Sequence, residues 1–306
     1  MKTQISRMVQ RKSFGDGLYA FILLLPTFLI FTVVIFFPIV KGIIVSFCNY
    51  TLATLTKYHW NNFDNYKNIF ENNEVLIYFK NTILFVLITV GLQFIIGMCI
   101  ALLLNSINKG KRSLRGLYLI PWTVPSVVVA ILWKWMLQEQ FGVINYLLFK
   151  FNITNTINIA WLQNGALAMA GVSAASMWRQ LPYMIIMLLA GLQSVDKSLL
   201  ESATLEGANS FQVFRNVTIP SIRPVITTAV WISILDNFQM FTVIYNMTGG
   251  GPINATTTLS IAAYKRAFEA YNLGEGSAIG MLWMVVLVFA TIGYNKINQK
   301  YTDDLV

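Results

Sequence analysis

Two charged residues, Arg179 and Asp236, lie in the middle of long apolar segments of the chain. A charged side chain at the centre of a bilayer costs roughly 2.5–3.5 kcal/mol on insertion scales, so such residues usually face a protein interior or a water-filled cavity. There they can bind a polar solute through hydrogen bonds and charge. The alternatives are a structural ion pair between the two helices and an Arg179 side chain that extends to the membrane surface.

Polar and aromatic side chains surround both charges at steps of three and four residues, which places them on one side of a helix. In a third segment, Trp122 and Ser126 flank Pro125. Hydrogen bonding between helices is the alternative role for the Ser, Gln and Asn side chains, and interfacial packing is the alternative for Trp122. The residues predicted to line a solute pathway are Trp122, Ser126, Ser176, Arg179, Gln180, Tyr183, Ser233, Asp236, Asn237 and Met240.

Residues for catalysis or metal binding do not form a recognisable pattern. The chain has one histidine, His59, and two cysteines, Cys48 and Cys99, without the spacing of a metal site. It also lacks the glycine-rich P-loop motif that binds ATP. We therefore predict no catalytic residues, no metal site and no cofactor, and expect any ATP hydrolysis to occur on another subunit.

The composition indicates a membrane protein. Of the 306 residues, 56% are hydrophobic and 11% are charged, whereas soluble domains carry roughly 25% charged residues. Lipid can cover apolar surface that a soluble fold of this length could not bury. The net charge of +9 does not indicate nucleic-acid binding, because the basic residues lie between apolar segments and not along one face.

Six apolar segments are long enough to cross a bilayer core of about 30 Å at about 1.5 Å per helical residue. They are continuous and not alternating, which favours helices over strands. The predicted fold class is an all-α polytopic membrane protein. Its predicted transmembrane helices are Gly17–Val40, Asn81–Asn105, Gly116–Leu137, Ala166–Leu192, Pro224–Met247 and Gly276–Tyr294.

The distribution of lysine and arginine predicts the orientation. If the N-terminus is cytoplasmic, the inside segments hold about twice as many basic residues as the outside loops. Both termini are therefore expected in the cytoplasm. In this arrangement the long segment between the fourth and fifth helices is also cytoplasmic.

That cytoplasmic segment, Val195 to Pro224, predicts a surface helix. Apolar residues recur in it at spacings of three and four, which makes a stripe on one side of a helix. The alternative is a helix that rests on lipid, which would be rich in Lys and Arg. Up to Pro220 the segment instead carries three acidic residues against only Lys197 and Arg215, which favours a protein partner. The residues of the stripe are Leu200, Ala203, Gly207, Phe211 and Phe214.

The same segment resembles the "EAA" loop of binding-protein-dependent ABC importer permeases. That pattern is Glu-Ala-Ala, three residues, Gly, nine residues, then Ile-x-Leu-Pro, and the spacing from Glu201 to Pro220 matches it. The departures are Ser202 for Ala, Val217 for Ile and Ile219 for Leu. The resemblance implies that residues 195–220 form a coupling helix that docks on an ATPase subunit. The residues implied at that contact are Glu201, Ser202, Ala203 and Gly207.

Three further stretches, Arg115–Leu137, Trp178–Val195 and Thr248–Leu259, are similar to carbohydrate-uptake permeases of the maltose type. The resemblance implies the type I importer (MetI-like) transmembrane fold and a sugar site at the pathway residues. Sugar hydroxyls need donors and acceptors, and pyranose faces stack on aromatic rings. The implied organisation is a cytoplasmic tail (1–16), an anchor helix (17–47), a permease domain (78–298) and a second tail (299–306).

The resemblance also implies the partners. They are a second homologous permease subunit, two ATP-binding cassette ATPase subunits, an extracellular solute-binding protein, a sugar and the bilayer. The competing hypothesis is an ion-coupled secondary transporter. It predicts inverted repeats and broken helices at matching positions, and the sequence indicates neither.

Overall fold

The computed structural model describes residues 14–54, 59–107 and 111–303. Residues 1–13 and 304–306, which belong to the predicted tails, lie outside the described residues. Three described helical stretches are long and apolar enough to span a membrane individually, or six if each of three bent helix pairs forms one span. The all-α architecture predicted from the apolar segments is confirmed.

The first span consists of α1 (Phe14–Phe31), a π-helical turn (Thr32–Phe36) and α2 (Phe37–Ser46). It extends beyond the predicted Gly17–Val40. The most apolar part of this span is not buried by the rest of the chain, and only its end, α2, packs against the last helix. An apolar helix without such cover is suited to lipid or to another subunit.

A short cap follows, with strands β1 (Cys48–Asn49) and β2 (His59–Trp60) paired antiparallel, and then α3 (Asp64–Glu71). The buried Asn65 side chain holds the cap together, because its Nδ2 donates to the carbonyl oxygens of Ser46 at 2.8 Å and Cys48 at 2.9 Å. Burial raises the pKa of the Cys48 thiol, which keeps the thiol protonated and unreactive.

Three long helices form the frame of the bundle: α4 (Glu74–Ser106), α8 (Gly165–Gln193) and α15 (Leu273–Asp303). Helices α4 and α8 share the most extensive contact in the chain. Gly97 permits their close approach, since a Cβ there would lie 2.8 Å from Cγ of Met184. The second, fourth and sixth predicted spans are thus helices, and Pro182 does not interrupt α8.

The third predicted span is broken, which corrects the expectation of one helix over Gly116–Leu137. Helix α5 (Lys111–Thr123) and α6 (Ser126–Met136) meet at a bend of 101°. Pro125 explains the break, because proline lacks an N–H and disfavours the helical conformation of the residue before it. A short helix, α7 (Val143–Lys150), follows before α8.

The fifth predicted span, Pro224–Met247, is also broken. Helix α12 (Arg223–Phe238) and α13 (Thr242–Thr248) are separated by three residues that contain no proline. The Ser260 hydroxyl donates to the freed carbonyl of Met240 at 3.0 Å. Ser260 belongs to α14 (Leu259–Tyr264), so this helix stabilises the break; a π-helical turn (Lys265–Glu269) follows α14. Broken helices, which the sequence did not indicate, are therefore present in two of the spans. The helices that follow the two breaks, α6 and α13, pack against each other.

The predicted surface helix between α8 and α12 is instead two helical stretches, one before Gly207 and one after it. Helix α9 (Lys197–Leu205) ends before Gly207, and α10 (Ser210–Val213), a π-helical turn (Phe214–Thr218) and α11 (Ile219–Ser221) follow. The predicted apolar stripe therefore does not run along one helix. The chain bends by 67° between α8 and α9, and by 69° before α12.

Candidate functional site

A cavity of about 370 Å³ lies where the two broken spans face α8. The α5–α6 break, the middle of α8 and the α12–α13 break each contribute side chains to its wall. The lining residues are Trp122, Ser126, Arg179, Gln180, Tyr183, Asp236, Gln239, Met240, Phe241 and Thr242. Irregular backbone at membrane depth is tolerated where it lines such a cavity.

Seven of the ten residues predicted to line a pathway are in this wall. The prediction missed Gln239 and Phe241, which lie in the α12–α13 break, and Thr242, which begins α13. Gln239 carries no charge that would have marked it within the apolar segment. The broken backbone, and not helical periodicity, places these three side chains at the cavity.

Both charges line the cavity without bonding to each other. Among the residues that the structure describes, the ion pairs join Lys67 to Glu71 and Arg266 to Glu74 and Glu275. Nε of Arg179 is buried and has no hydrogen-bond partner in the described part of the chain. In this conformation the two side chains are therefore separate cationic and anionic groups on one cavity wall.

Aromatic rings also line the cavity. The Trp122 and Tyr183 ring centroids are 6.4 Å apart at 57°, and Trp122 is 50% exposed. Phe241, which lines the cavity as well, stacks on Tyr245 with centroids 5.0 Å apart. The cavity thus combines rings, N–H donors and a carboxylate, the groups that bind a hydroxyl-rich solute.

In the described ranges, no group of three or more His, Cys, Asp or Glu residues could hold a metal ion.

Three predicted pathway residues, Ser176, Ser233 and Asn237, are buried outside the lining. Asn237 Nδ2 donates to Oε1 of Gln180 at 2.7 Å and to the carbonyl of Ser233 at 2.8 Å. For Asn237 the alternative role, hydrogen bonding between helices, is what the geometry shows. Gln93 of α4 makes the equivalent bond to Gln180 at 2.9 Å. It was missed, although it is the only Gln in an uncharged apolar run.

The segment between α8 and α12 is built by local capping. The Asp196 side chain accepts from the backbone N–H of Ser198 at 2.9 Å and begins α9. This hydrogen bond lowers the pKa of Asp196. At the other end, Ala208 N–H donates to the carbonyl of Ala203 at 3.1 Å and Gly207 N–H to that of Thr204 at 3.0 Å. This is a Schellman motif, in which Gly207 has φ +88°.

The predicted coupling residues lie on the surface of this segment. Glu201, Ser202 and Gly207 are exposed and Ala203 is half-buried. Nothing lies within 4 Å of a Cβ built on Gly207. Two nearby apolar side chains, Leu205 and Phe211, are 89% and 66% exposed. By contrast, Phe214 and Ile219 pack against the core formed by α4, α8 and α12, so the segment is anchored to the bundle.

Residues 93–301 match the model of the family described as "Binding-protein-dependent transport system inner membrane component". The chain belongs to this family. The match includes the cavity and the capped segment. The chain is therefore a multi-pass inner-membrane permease, and its first span and cap precede the matched region.

Named relatives of this permease cover nearly all of its length. One is the trehalose/maltose transport system permease protein MalF of Thermococcus litoralis, to which it is 30% identical. The alignment covers 97% of this permease and 99% of that protein. Another is the sulfoquinovosyl glycerol transport system permease protein SmoG of Agrobacterium fabrum, to which it is 29% identical. That alignment covers 96% of this permease and 94% of the relative.

Among solved structures, a bacterial ABC transporter involved in the import of the acidic polysaccharide alginate has the same fold. The TM-score is 0.78 at 20% identity, over 97% of this permease and 99% of that chain. The type I importer transmembrane fold expected from the sequence is thereby confirmed.

Proposed function

We propose that this permease carries a sugar or sugar derivative through the cavity between the two helix breaks. The observation that carries the proposal is the cavity itself, where Trp122 and Tyr183 lie beside Arg179, Gln180 and Asp236. Rings can stack on pyranose faces while the polar groups bind hydroxyls. The named relatives transport trehalose and maltose or sulfoquinovosyl glycerol, which supports a saccharide as the solute.

The lining groups have distinct proposed roles. Arg179 supplies donors only, and Asp236 supplies acceptors only. Ser126 and Met240 complete the pathway, whereas Ser176, Ser233 and Asn237 support it from behind. A volume of about 370 Å³ is near the small end of the roughly 300–1,000 Å³ typical of ligand pockets. A second, homologous permease subunit would supply the opposite wall for a longer saccharide.

ATP hydrolysis on two separate ATPase subunits would drive the transport. The surface of α9 that carries Glu201, Ser202, Ala203 and Gly207 would dock on one of them, and the exposed Leu205 and Phe211 would be buried there. This chain then needs no catalytic residues or cofactor of its own. The docking requires the segment, and with it both termini, to be cytoplasmic, as the lysine and arginine distribution favours.

The capped segment is suited to transmit motion to the cavity. Phe214 and Ile219 fix it to the core that includes the end of α8, and α8 carries Arg179, Gln180 and Tyr183. A displacement of α9 by the ATPase would therefore move α8 relative to the two broken spans. An extracellular binding protein would deliver the sugar to the outward-facing state.

Ion-coupled transport is the less favoured alternative. Broken helices, which that hypothesis predicts, are present at α5–α6 and α12–α13. They do not decide between the two hypotheses, whereas membership of the binding-protein-dependent family favours ATP-driven import.

Reconstitution tests the proposal. The permease is co-expressed with the permease, ATPase and binding protein encoded nearest to it, purified as a complex and placed in lipid nanodiscs. The rate of ATP hydrolysis is measured with trehalose, maltose, sulfoquinovosyl glycerol and alginate oligosaccharides. We expect stimulation by at least one saccharide that requires the binding protein. An assembled complex that hydrolyses ATP at the same rate with every saccharide would contradict the proposal.

A further inference from the structure

Three buried amide side chains meet at one oxygen atom beside the cavity. Oε1 of Gln180 accepts from Nε2 of Gln93 at 2.9 Å and from Nδ2 of Asn237 at 2.7 Å. The three residues are 6%, 0% and 1% exposed, respectively, and they come from three different helices, α8, α4 and α12. A carbonyl oxygen has two lone pairs, so both acceptor sites of Gln180 are occupied.

The orientation of this amide cluster is fixed by the backbone. Nδ2 of Asn237 also donates to the carbonyl oxygen of Ser233 at 2.8 Å. If the Asn237 amide were reversed, its Oδ1 would face that carbonyl oxygen, and two acceptors would oppose each other in a buried site. Asn237 therefore presents N–H to Gln180, and Gln180 must present oxygen in return.

The fixed orientation has a consequence for the cavity. Gln180 lines it, and with Oε1 saturated the only group that Gln180 can offer to a solute is its Nε2 amide. We propose that Gln93 and Asn237 are positioning residues that make Gln180 a dedicated hydrogen-bond donor in the sugar pathway. The inference rests on the proposed function and adds its specificity: the sugar atom opposite Gln180 must be an acceptor, such as a hydroxyl, ring or carbonyl oxygen.

The predicted effect of removing Gln93 is loss of an oriented donor. In Gln93→Met the Gln180 amide keeps only the bond from Asn237, so its orientation is held less firmly and a larger part of its population presents no N–H to the sugar. Because one hydrogen bond contributes modestly to binding, we expect the half-saturating sugar concentration to rise about five- to tenfold. The assay is ATP hydrolysis by the assembled complex in nanodiscs. The probe is whichever sugar of the four-member panel stimulates the wild type most.

A double-substitution cycle separates positioning from general damage. If Gln93 acts through Gln180, Gln93→Met should change the half-saturating concentration by less than about twofold when Gln180→Met is already present. Thr89→Val is the matched control, since Thr89 is a buried polar residue one turn earlier on α4 and lacks a hydrogen-bond partner in the described chain. This control should behave as the wild type.

Two results of the activity assay would overturn the inference. One is an equal effect of Gln93→Met with and without Gln180→Met, and the other is an equal effect of Thr89→Val. The same four proteins of the double-substitution cycle are also compared by the thermal unfolding midpoint of the complex, a measurement that needs no sugar. A midpoint loss from Gln93→Met that is as large in the Gln180→Met background also overturns it. If no panel sugar stimulates the wild type, the sugar proposal fails, while the unfolding cycle still decides whether the amide network exists.

Discussion

The conformation of Gly207 gives a quantitative prediction for the segment between α8 and α12, which we propose docks on the ATPase. Gly207 ends α9 with φ +88°, a left-handed conformation that costs a residue with a Cβ roughly 1–2 kcal/mol. No atom lies within 4 Å of an added Cβ, so Gly207→Ala carries this conformational cost without a clash inside the chain. Such a cost corresponds to a factor of roughly 5–30 in an equilibrium constant.

The prediction is that Gly207→Ala lowers sugar-stimulated ATP hydrolysis by a factor within about 5–30, because the Schellman turn that sets the direction of the chain after α9 is less populated. Gly207→Asn should lose less, since asparagine adopts left-handed backbone more readily. The assay is hydrolysis by the reconstituted complex, with membrane insertion and ATPase co-purification measured in parallel. Gly280→Ala is the control, since that site is also open but lies in regular helix.

Two outcomes would refute this reasoning. Wild-type coupling in Gly207→Ala would show that the turn is not needed. Equal loss in Gly207→Asn and Gly207→Ala would show that side-chain volume against the partner, and not backbone conformation, explains the glycine.

Three further predictions follow from single contacts. Trp122→Ala should raise the half-saturating sugar concentration about tenfold through loss of stacking, and unchanged saturation would contradict a sugar contact. Gly97→Val should destabilise the complex by about 1–3 kcal/mol and so lower its unfolding midpoint, because a Cβ would lie 2.8 Å from Cγ of Met184. An unchanged midpoint would show that α4 and α8 can move apart without cost. Asp196→Ala should speed hydrogen exchange in α9, while Asp196→Asn should preserve the cap. Since the pKa of Asp196 is lowered in the folded segment, its stabilisation is present above the ordinary pKa of an aspartate and is lost as the pH falls through the lowered value.

The sequence predicted the cavity because the bilayer penalises charge. Arg179 and Asp236 could not face lipid cheaply, so their helical neighbours were sound candidates for a lining. Pro125 also gave a visible reason for the first break. The second break has no such signal in the sequence. It depends on a hydrogen bond from Ser260 to Met240, two residues that are far apart in the sequence and meet only in the folded chain.

The segment between α8 and α12 was predictable in position more than in shape, since one surface helix was expected there. The break after Gly207 was not predicted, although Gly207 after an amphipathic helix, and Asn209 three residues before Gln212, are local signals of a helix end and a new helix start. The structure uses both, since Asn209 and Gln212 form a capping box. The role of Gln93 could not be predicted, because a polar residue in an apolar run does not reveal which helix faces it.

The most direct test of the account is a structure of the assembled, sugar-bound importer by electron cryomicroscopy. We expect sugar density between Trp122, Tyr183 and Asp236, with α9 seated on an ATPase subunit. A well-ordered sugar bound elsewhere, with this cavity empty, would contradict it.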